Sequence, residues 1–189
     1  MILPITAYGH PTLKKVAKDI DKDYPELQQL IDNMFDTMYY SNGVGLAAPQ
    51  VDVSIRLMII DDNTYADKYP EAKNFKKIFI NPYITNEEDE EWAFNEGCLS
   101  IPDIREDVVR KSTITIKYQD ENYVSHEEQY SGIIARIIQH EYDHLEGVLF
   151  VERLAPFKKM LLKRKLTDIS KGNIKVDYKM KFPFQYKRK

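Results

Sequence analysis

The stretch Gly132-Ile133-Ile134-Ala135-Arg136-Ile137-Ile138-Gln139-His140-Glu141-Tyr142-Asp143-His144-Leu145 organises the reading of this chain. Its spacing predicts a helix that starts near Ser131 or Gly132 and runs to about Leu145, with Gly147 placed to terminate it. Within it, His140-Glu141-Tyr142-Asp143-His144 is an H-E-x-x-H. Residues four apart share a helix face, so both imidazoles can reach one ion. Glu141, beside the first histidine, can reach a water on that ion without being a ligand. Ile133 and Ile137 continue the same stripe toward the N-terminus, which turns this face inward. A solvated helix face that merely carried two histidines would lack that apolar continuation.

A catalytic centre of this kind needs a third protein ligand and an open coordination position. No histidine follows His144, and Glu146 and Glu152 are too near in sequence to sit on another helix. Asp168 and Asp177 lie in a basic stretch. The donor is therefore sought upstream, where Cys98 is the best candidate, because a thiolate is a strong ligand for zinc or ferrous iron. A buried cysteine is by itself more often a small hydrophobe. In Glu96-Gly97-Cys98-Leu99-Ser100, however, the glycine permits close backbone approach and a small polar residue follows. A lone cysteine cannot make an internal disulfide, which fits a reducing, cytoplasmic setting.

The flanking sequence supplies the remaining elements. Leu27, Leu30, Ile31, Met34, Phe35 and Met38 recur at helical spacing after a possible Asp23–Glu26 cap with Pro25, and this helix should end before Gly43. Ile55–Ile60 and Lys77–Ile80 read as buried strands, with Asn81-Pro82 as a stop and the acidic run 87–91 as an exposed turn. Trp92–Leu99 reads as extended. Thr113–Tyr118 alternates as a half-buried strand, with a hairpin turn at 120–122 and a return strand over 123–130. Pro156 opens a basic helix of about 156–171. Strands clustered before helices predict a single α+β domain. Its mostly antiparallel sheet packs around the central H-E-x-x-H helix, with one helix N-terminal and a basic one C-terminal. Residues 1–172 form the expected catalytic domain and 173–189 a basic tail whose aromatic residues can pack back on the body.

No transmembrane span or signal peptide is expected from the hydropathy pattern. The net charge is −3, yet the segment from Ala155 to Lys189 holds 12 Lys and Arg against 2 Asp. A basic end on an acidic body suits a polyanionic partner, although a solvated tail would look the same.

Three segments, Gly43-Val44-Gly45-Leu46-Ala47-Ala48-Pro49-Gln50, Glu96-Gly97-Cys98-Leu99-Ser100 and Gln139-His140-Glu141-Tyr142-Asp143-His144-Leu145, resemble in order the three signature motifs of bacterial peptide deformylases. The resemblance covers essentially the whole chain. It implies removal of the N-formyl group from the formylmethionine of nascent polypeptides, with release of formate. It implies Cys98, His140 and His144 as ligands of an ion that is usually Fe2+, with Zn2+ or Ni2+ as substitutes. Glu141 matches the general acid/base, and Gln50 and the Leu99 N–H match the groups that bind the formyl oxygen. Gly45 matches backbone that holds the substrate amide, and Val44, Ile133, Ile137 and His140 match the pocket for the methionine side chain. Gly43, Glu96, Gly97 and Arg105 complete the expected substrate site, with Arg105 pairing with Glu96 to brace the cysteine segment. Some relatives dock on the ribosome through a C-terminal helix, so the resemblance implies the ribosome as a partner for the basic helix. A monomer is expected. Asp103, where many relatives have glycine, and Arg136, where an apolar residue is frequent, are departures that bear on substrate subsites. The rival readings are a zinc peptidase, which lacks its third ligand here, and a metal-stabilised RNA-binding module, which would need neither Glu141 nor Gln50.

Overall fold

The computed structural model describes residues 1–62 and 67–183. In chain order the elements are β1 (Ile5–Thr6), α1 (Leu27–Tyr40), β2 (Gly45–Ala47), β3 (Leu57–Asp61), β4 (Lys76–Cys98), β5 (Ile101–Gln119), β6 (Ser125–Ser131), α2 (Gly132–Leu145), α3 (Pro156–Ser170) and β7 (Met180–Lys181). Strands β2 to β6 form one antiparallel sheet whose spatial order follows the sequence. A second, two-stranded sheet pairs β1 with β7 in parallel. The α+β class and the three main helices are as expected.

Strand β3 shows how the layers are arranged. Successive side chains of a strand point to opposite faces. Leu57 and Ile59 pack with Ile31, Met34, Phe35 and Met38 of α1, whereas Met58 and Ile60 pack with Ile133, Ile134, Ile137 and Ile138 of α2. The sheet is thus buried on both faces here, which explains why the strand reads as an unbroken apolar run. Helix α2 is buried on nearly every side, including Arg136, Gln139, Glu141, Asp143 and His144, so the polar side chains it carries must find partners inside the protein. A third cluster seats Leu162, Leu166 and Ile169 of α3 against Ile101, Ile104 and Phe150.

Three local expectations are corrected. Asn81-Pro82 does not stop a strand, because β4 runs on to Cys98. Asn81 adopts a left-handed conformation (φ 51°) at a register shift, and its side chain bonds the N–H and the carbonyl of Ile20 at 2.9 and 2.7 Å. The pair is a bulge that bends the strand rather than ending it. The acidic run 87–91 is likewise a kink inside β4, with Asp89 at φ 66°. The capping box at α1 does not form, since Glu26 sits at φ 53° without a side-chain bond and the helix starts only at Leu27. After Gly172 the chain returns to the body, where the N–H groups of Ile5 and Ala7 donate to the carbonyls of Lys179 and Lys181, both at 2.8 Å. Residues 184–189 of the expected tail lie outside the described residues.

A candidate metal centre between the β4–β5 turn and helix α2

Cys98 is the last residue of β4, and His140 and His144 stand one turn apart in α2. Their three donor atoms lie within 4.8 Å of one another, and Cys98 Sγ is 3.3 Å from His144 Nε2. The histidine rings are 5.3 Å apart at 81°, the geometry of two side chains converging on one point. Glu96 fixes the first ring, because His140 Nδ1 lies 2.8 Å from Glu96 Oε2, which leaves Nε2 for an ion. One soft thiolate and two imidazoles suit iron, nickel or zinc, and three protein donors leave a position open. Burial lowers the pKa of His140, but hydrogen bonds to Cys98 and Glu96 outweigh it and raise the pKa well above its usual value, whereas burial and the positive charges of His140 and Arg110 hold His144 well below its own. The residues fit a divalent ion.

Strand parity arranges the surrounding charges. Trp92, Phe94 and Glu96 share one face of β4, and Arg110 of β5 pairs in register with Trp92, so Arg110 reaches Glu96. Arg110 donates to both Glu96 oxygens at 2.7 and 3.0 Å and to Asp143 Oδ2 at 2.7 Å. Arg153 closes the chain on Asp143. Burial pushes the Glu96 carboxyl up, but hydrogen bonds from His140 and Arg110 bring it well below the ordinary range, so Glu96 stays ionised. Arg136 donates to Glu96 Oε1, to the Val108 carbonyl and to the Trp92 carbonyl, with its guanidinium 4.6 Å from the Trp92 ring centre. The expected Arg105–Glu96 pair does not form. Arg105 lies opposite Gly97, on the face of Asn95, and bonds Asn95 Oδ1 at 3.0 Å and the Asn95 carbonyl at 2.6 Å. A Cβ on Gly97 would stand 2.7 Å from Arg105 Nη1, so a larger residue here would push that arginine aside.

Glu141 is 4% exposed, and its Oε2 has no hydrogen-bond partner among the described residues. Burial pushes its pKa up to about 7, within reach of a proton-transfer role near neutral pH. Gln50 is anchored by the Ala47 N–H, which donates to Oε1 at 2.9 Å, and its Nε2 lies 3.5 Å from both Cys98 Sγ and Ser100 Oγ. Gly45 passes so close to Glu141 that an added Cβ would lie 2.6 Å from Oε1. Strand β2 is an edge of the sheet, so one side of its backbone is free for an extended peptide.

These groups open on a cleft of about 530 Å³. Gly43, Val44, Gly45, Gln50, Glu96, Gly97, Cys98, Leu99, Arg105, Ile137, His140 and Glu141 line it, as does Arg136. Ile133 does not; it is fully buried in the core with Met58 and Phe79. Sequence reasoning missed Arg110, which no motif marked, and Asp143, which stands at a variable position of the H-E-x-x-H. It also missed Tyr40 and the segment Lys175–Tyr178, which form another wall. The strict alternation Ile174-Lys175-Val176-Asp177-Tyr178-Lys179-Met180-Lys181-Phe182 was the available signal for that segment.

An open three-donor centre flanked by an unpaired carboxylate and an amide donor is equipped to add water to a carbonyl. Fold and centre together define the class of metal-dependent amide hydrolases. The sequence profile of the polypeptide deformylase family matches residues 2–160. A peptide deformylase of Christiangramia forsetii is 60% identical over 97% of both chains. The crystal structure of a peptide deformylase from Legionella pneumophila superposes with a TM-score of 0.79 at 39% identity, covering 92% of this chain and 98% of that one. The class I type b peptide deformylase of Acinetobacter baumannii, solved with Met-ala-ser bound, gives 0.74 at 39% identity, with 82% and 99% covered. The chain belongs to the polypeptide deformylase family.

Proposed function

We propose that Cys98, His140 and His144 are the ligands of this enzyme's metal ion, that Glu141 is its general acid/base, and that Gln50 and the Leu99 N–H bind the formyl oxygen. The reaction comes with the family: the chain is a metal-dependent hydrolase that removes the N-formyl group from newly synthesised polypeptides and releases formate. The observation that carries the residue assignments is the convergence of the three donor atoms beside unpaired Glu141, with Cys98, His140 and Glu141 lining one cleft. Fe2+ is the ion of choice in the cell, with Zn2+ or Ni2+ as replacements; the donor set suits all three.

Cys98, His140 and His144 would hold a divalent ion, which when bound would supply Lewis acidity and a water that is nucleophilic near neutral pH. Glu141 takes the proton of the attacking water on Oε2 and delivers it to the leaving amine. Gln50 Nε2 and the Leu99 N–H stabilise the developing oxyanion, each worth about 3 kcal/mol in comparable sites. The free edge of β2 at Gly45 aligns the peptide, and Val44, Ile137 and His140 receive the methionine side chain. The Met-ala-ser held by the Acinetobacter relative is a ligand of the kind this cleft is suited to take.

Substrates leave the ribosome in the cytoplasm, where we place this enzyme as a monomer. No described helix is long and apolar enough to cross a membrane. Lys159, Lys163, Arg164 and Lys165 are exposed on α3 and suit phosphate contacts with ribosomal RNA. Deleting α3 would uncover the core, so the test is reversal of these charges, which should weaken ribosome pelleting at low salt.

The site assignments are tested by anaerobic purification, metal analysis and a formate-release assay on formyl-Met peptide beside acetyl-Met peptide. Glu141→Gln should keep one ion per chain and lose about 10²–10⁴ in kcat. Cys98→Ala should lose the ion. Stoichiometric metal with normal activity in Cys98→Ala would place the third ligand elsewhere.

A further inference from the structure

We propose that Tyr178 is a positioning residue for this reaction, clamping the Leu99 segment from a C-terminal strap that forms one wall of the substrate cleft. The strap lies beyond the part of the chain that the family profile matches. The proposal rests on the deformylase reading, because the Leu99 N–H matters only if it binds the formyl oxygen.

Cys98 pairs with Ile101, so Leu99 and Ser100 alone connect β4 to β5. Two-residue hairpin turns favour types that need a positive φ, because those match the twist of the strands. Neither Leu99 nor Ser100 has one. The register also jumps at this point, since Gly97 pairs with Arg105 and the next pair is Cys98 with Ile101. The turn is therefore not held by its own backbone preference and depends on bonds from outside.

Those bonds come from distant parts of the chain. Tyr178 Oη donates to the Leu99 carbonyl at 2.8 Å. The Tyr8 N–H donates to the Ser100 carbonyl at 2.9 Å. Tyr178 is in turn fixed by its neighbours: Met180 and Lys181 pair with Ile5 and Thr6, Lys181 bonds Asp52, and Tyr40 Oη donates to the Asp177 carbonyl at 3.3 Å. The phenol and the strap residues before it face the same cleft as Glu141 and Gln50. The hydroxyl thus fixes one side of a turn whose preceding amide must point at the oxyanion. Positional errors well under a bond length are costly for such a donor.

Tyr178→Phe removes the hydroxyl and leaves the ring packing in place. In the metal-loaded, full-length enzyme the expected result is a kcat on formyl-Met-Ala-Ser about tenfold lower. KM should stay within twofold, with metal content and thermal midpoint unchanged. Hydrogen–deuterium exchange of the Cys98–Ile101 segment should become faster, in metal-free protein as well. Unchanged kcat, or a loss of stability or metal with normal kcat per bound ion, would overturn the proposal. If the unaltered enzyme releases no formate, the deformylase reading fails instead. The exchange comparison then judges the clamp alone: faster exchange keeps it, and unchanged exchange removes it.

Discussion

Gly45 lies against Glu141 with no room for a methyl group. The close approach brings the edge of β2, where substrate backbone is expected, next to the carboxylate that moves the proton. Gly45→Ala should displace Glu141 without unfolding the protein, since the added carbon meets a side chain and not backbone. A misplacement of about 1 Å at a catalytic group costs on the order of 100-fold, so kcat should fall by that order while metal content holds. A kcat within threefold of the unaltered enzyme would show that Glu141 has freedom to move. At this scale much was legible in advance. Cys98, His140, Glu141 and His144 announce themselves by residue type and spacing, because few other chemistries need them together, whereas Gln50 enters only through the family resemblance. Arg110 and Asp143 do not announce themselves, because Arg110 acquires meaning only when β4 and β5 pair in one register, and Asp143 only when α2 packs against that arginine. The same parity misled the reading of Arg105, one residue removed from the face that holds Glu96.

Among the elements, β3 ends in an unusual way. Asp62 is fully buried, and among the described residues neither carboxylate oxygen has a hydrogen-bond partner. Burial, with Glu71 and Asp61 nearby, pushes its pKa up to about 7 from 3.8. Between those values the folded protein holds a proton that the unfolded chain releases. Stability therefore falls as pH rises through that window and levels off above it. Asp62→Asn should remove this loss, so its gain in urea-unfolding free energy over the parent should grow between pH 4 and pH 8. An equal difference at both pH values would mean that Asp62 is ionised throughout. Element recognition from sequence succeeded where periodicity was sustained, as in α2 and in 113–118. It failed inside β4, where Asn81 and Asp89 break the pattern locally. A left-handed residue reads as a turn whether the chain stops there or only bends. Asp103, at φ 60° in β5, is left-handed too, a conformation that glycine adopts without steric cost.

Across the molecule, one buried ionic network joins the sheet to the central helix: Glu96 on β4, Arg110 on β5, and Arg136, His140 and Asp143 on α2. Removing one partner from such a network strands the others in a medium that solvates them poorly. Arg110→Met should cost about 3–5 kcal/mol of unfolding free energy, measured by urea titration, and weaken metal retention because Glu96 loses the partner that orients it on His140. A loss below 1 kcal/mol would show that water reaches the site and replaces the arginine. The pairing of β1 with β7 has a different consequence, in time. Ile5 and Thr6 are made early and meet Met180 and Lys181 only when nearly all of the described chain exists. At bacterial elongation rates of about 5–20 residues per second, the first strand waits on the order of ten seconds or more for its partner. The wall carrying Tyr178 is therefore the last side of the cleft to assemble. An unfinished copy still on the ribosome lacks that wall, so the enzyme's own synthesis must pass this late step before its cleft is complete.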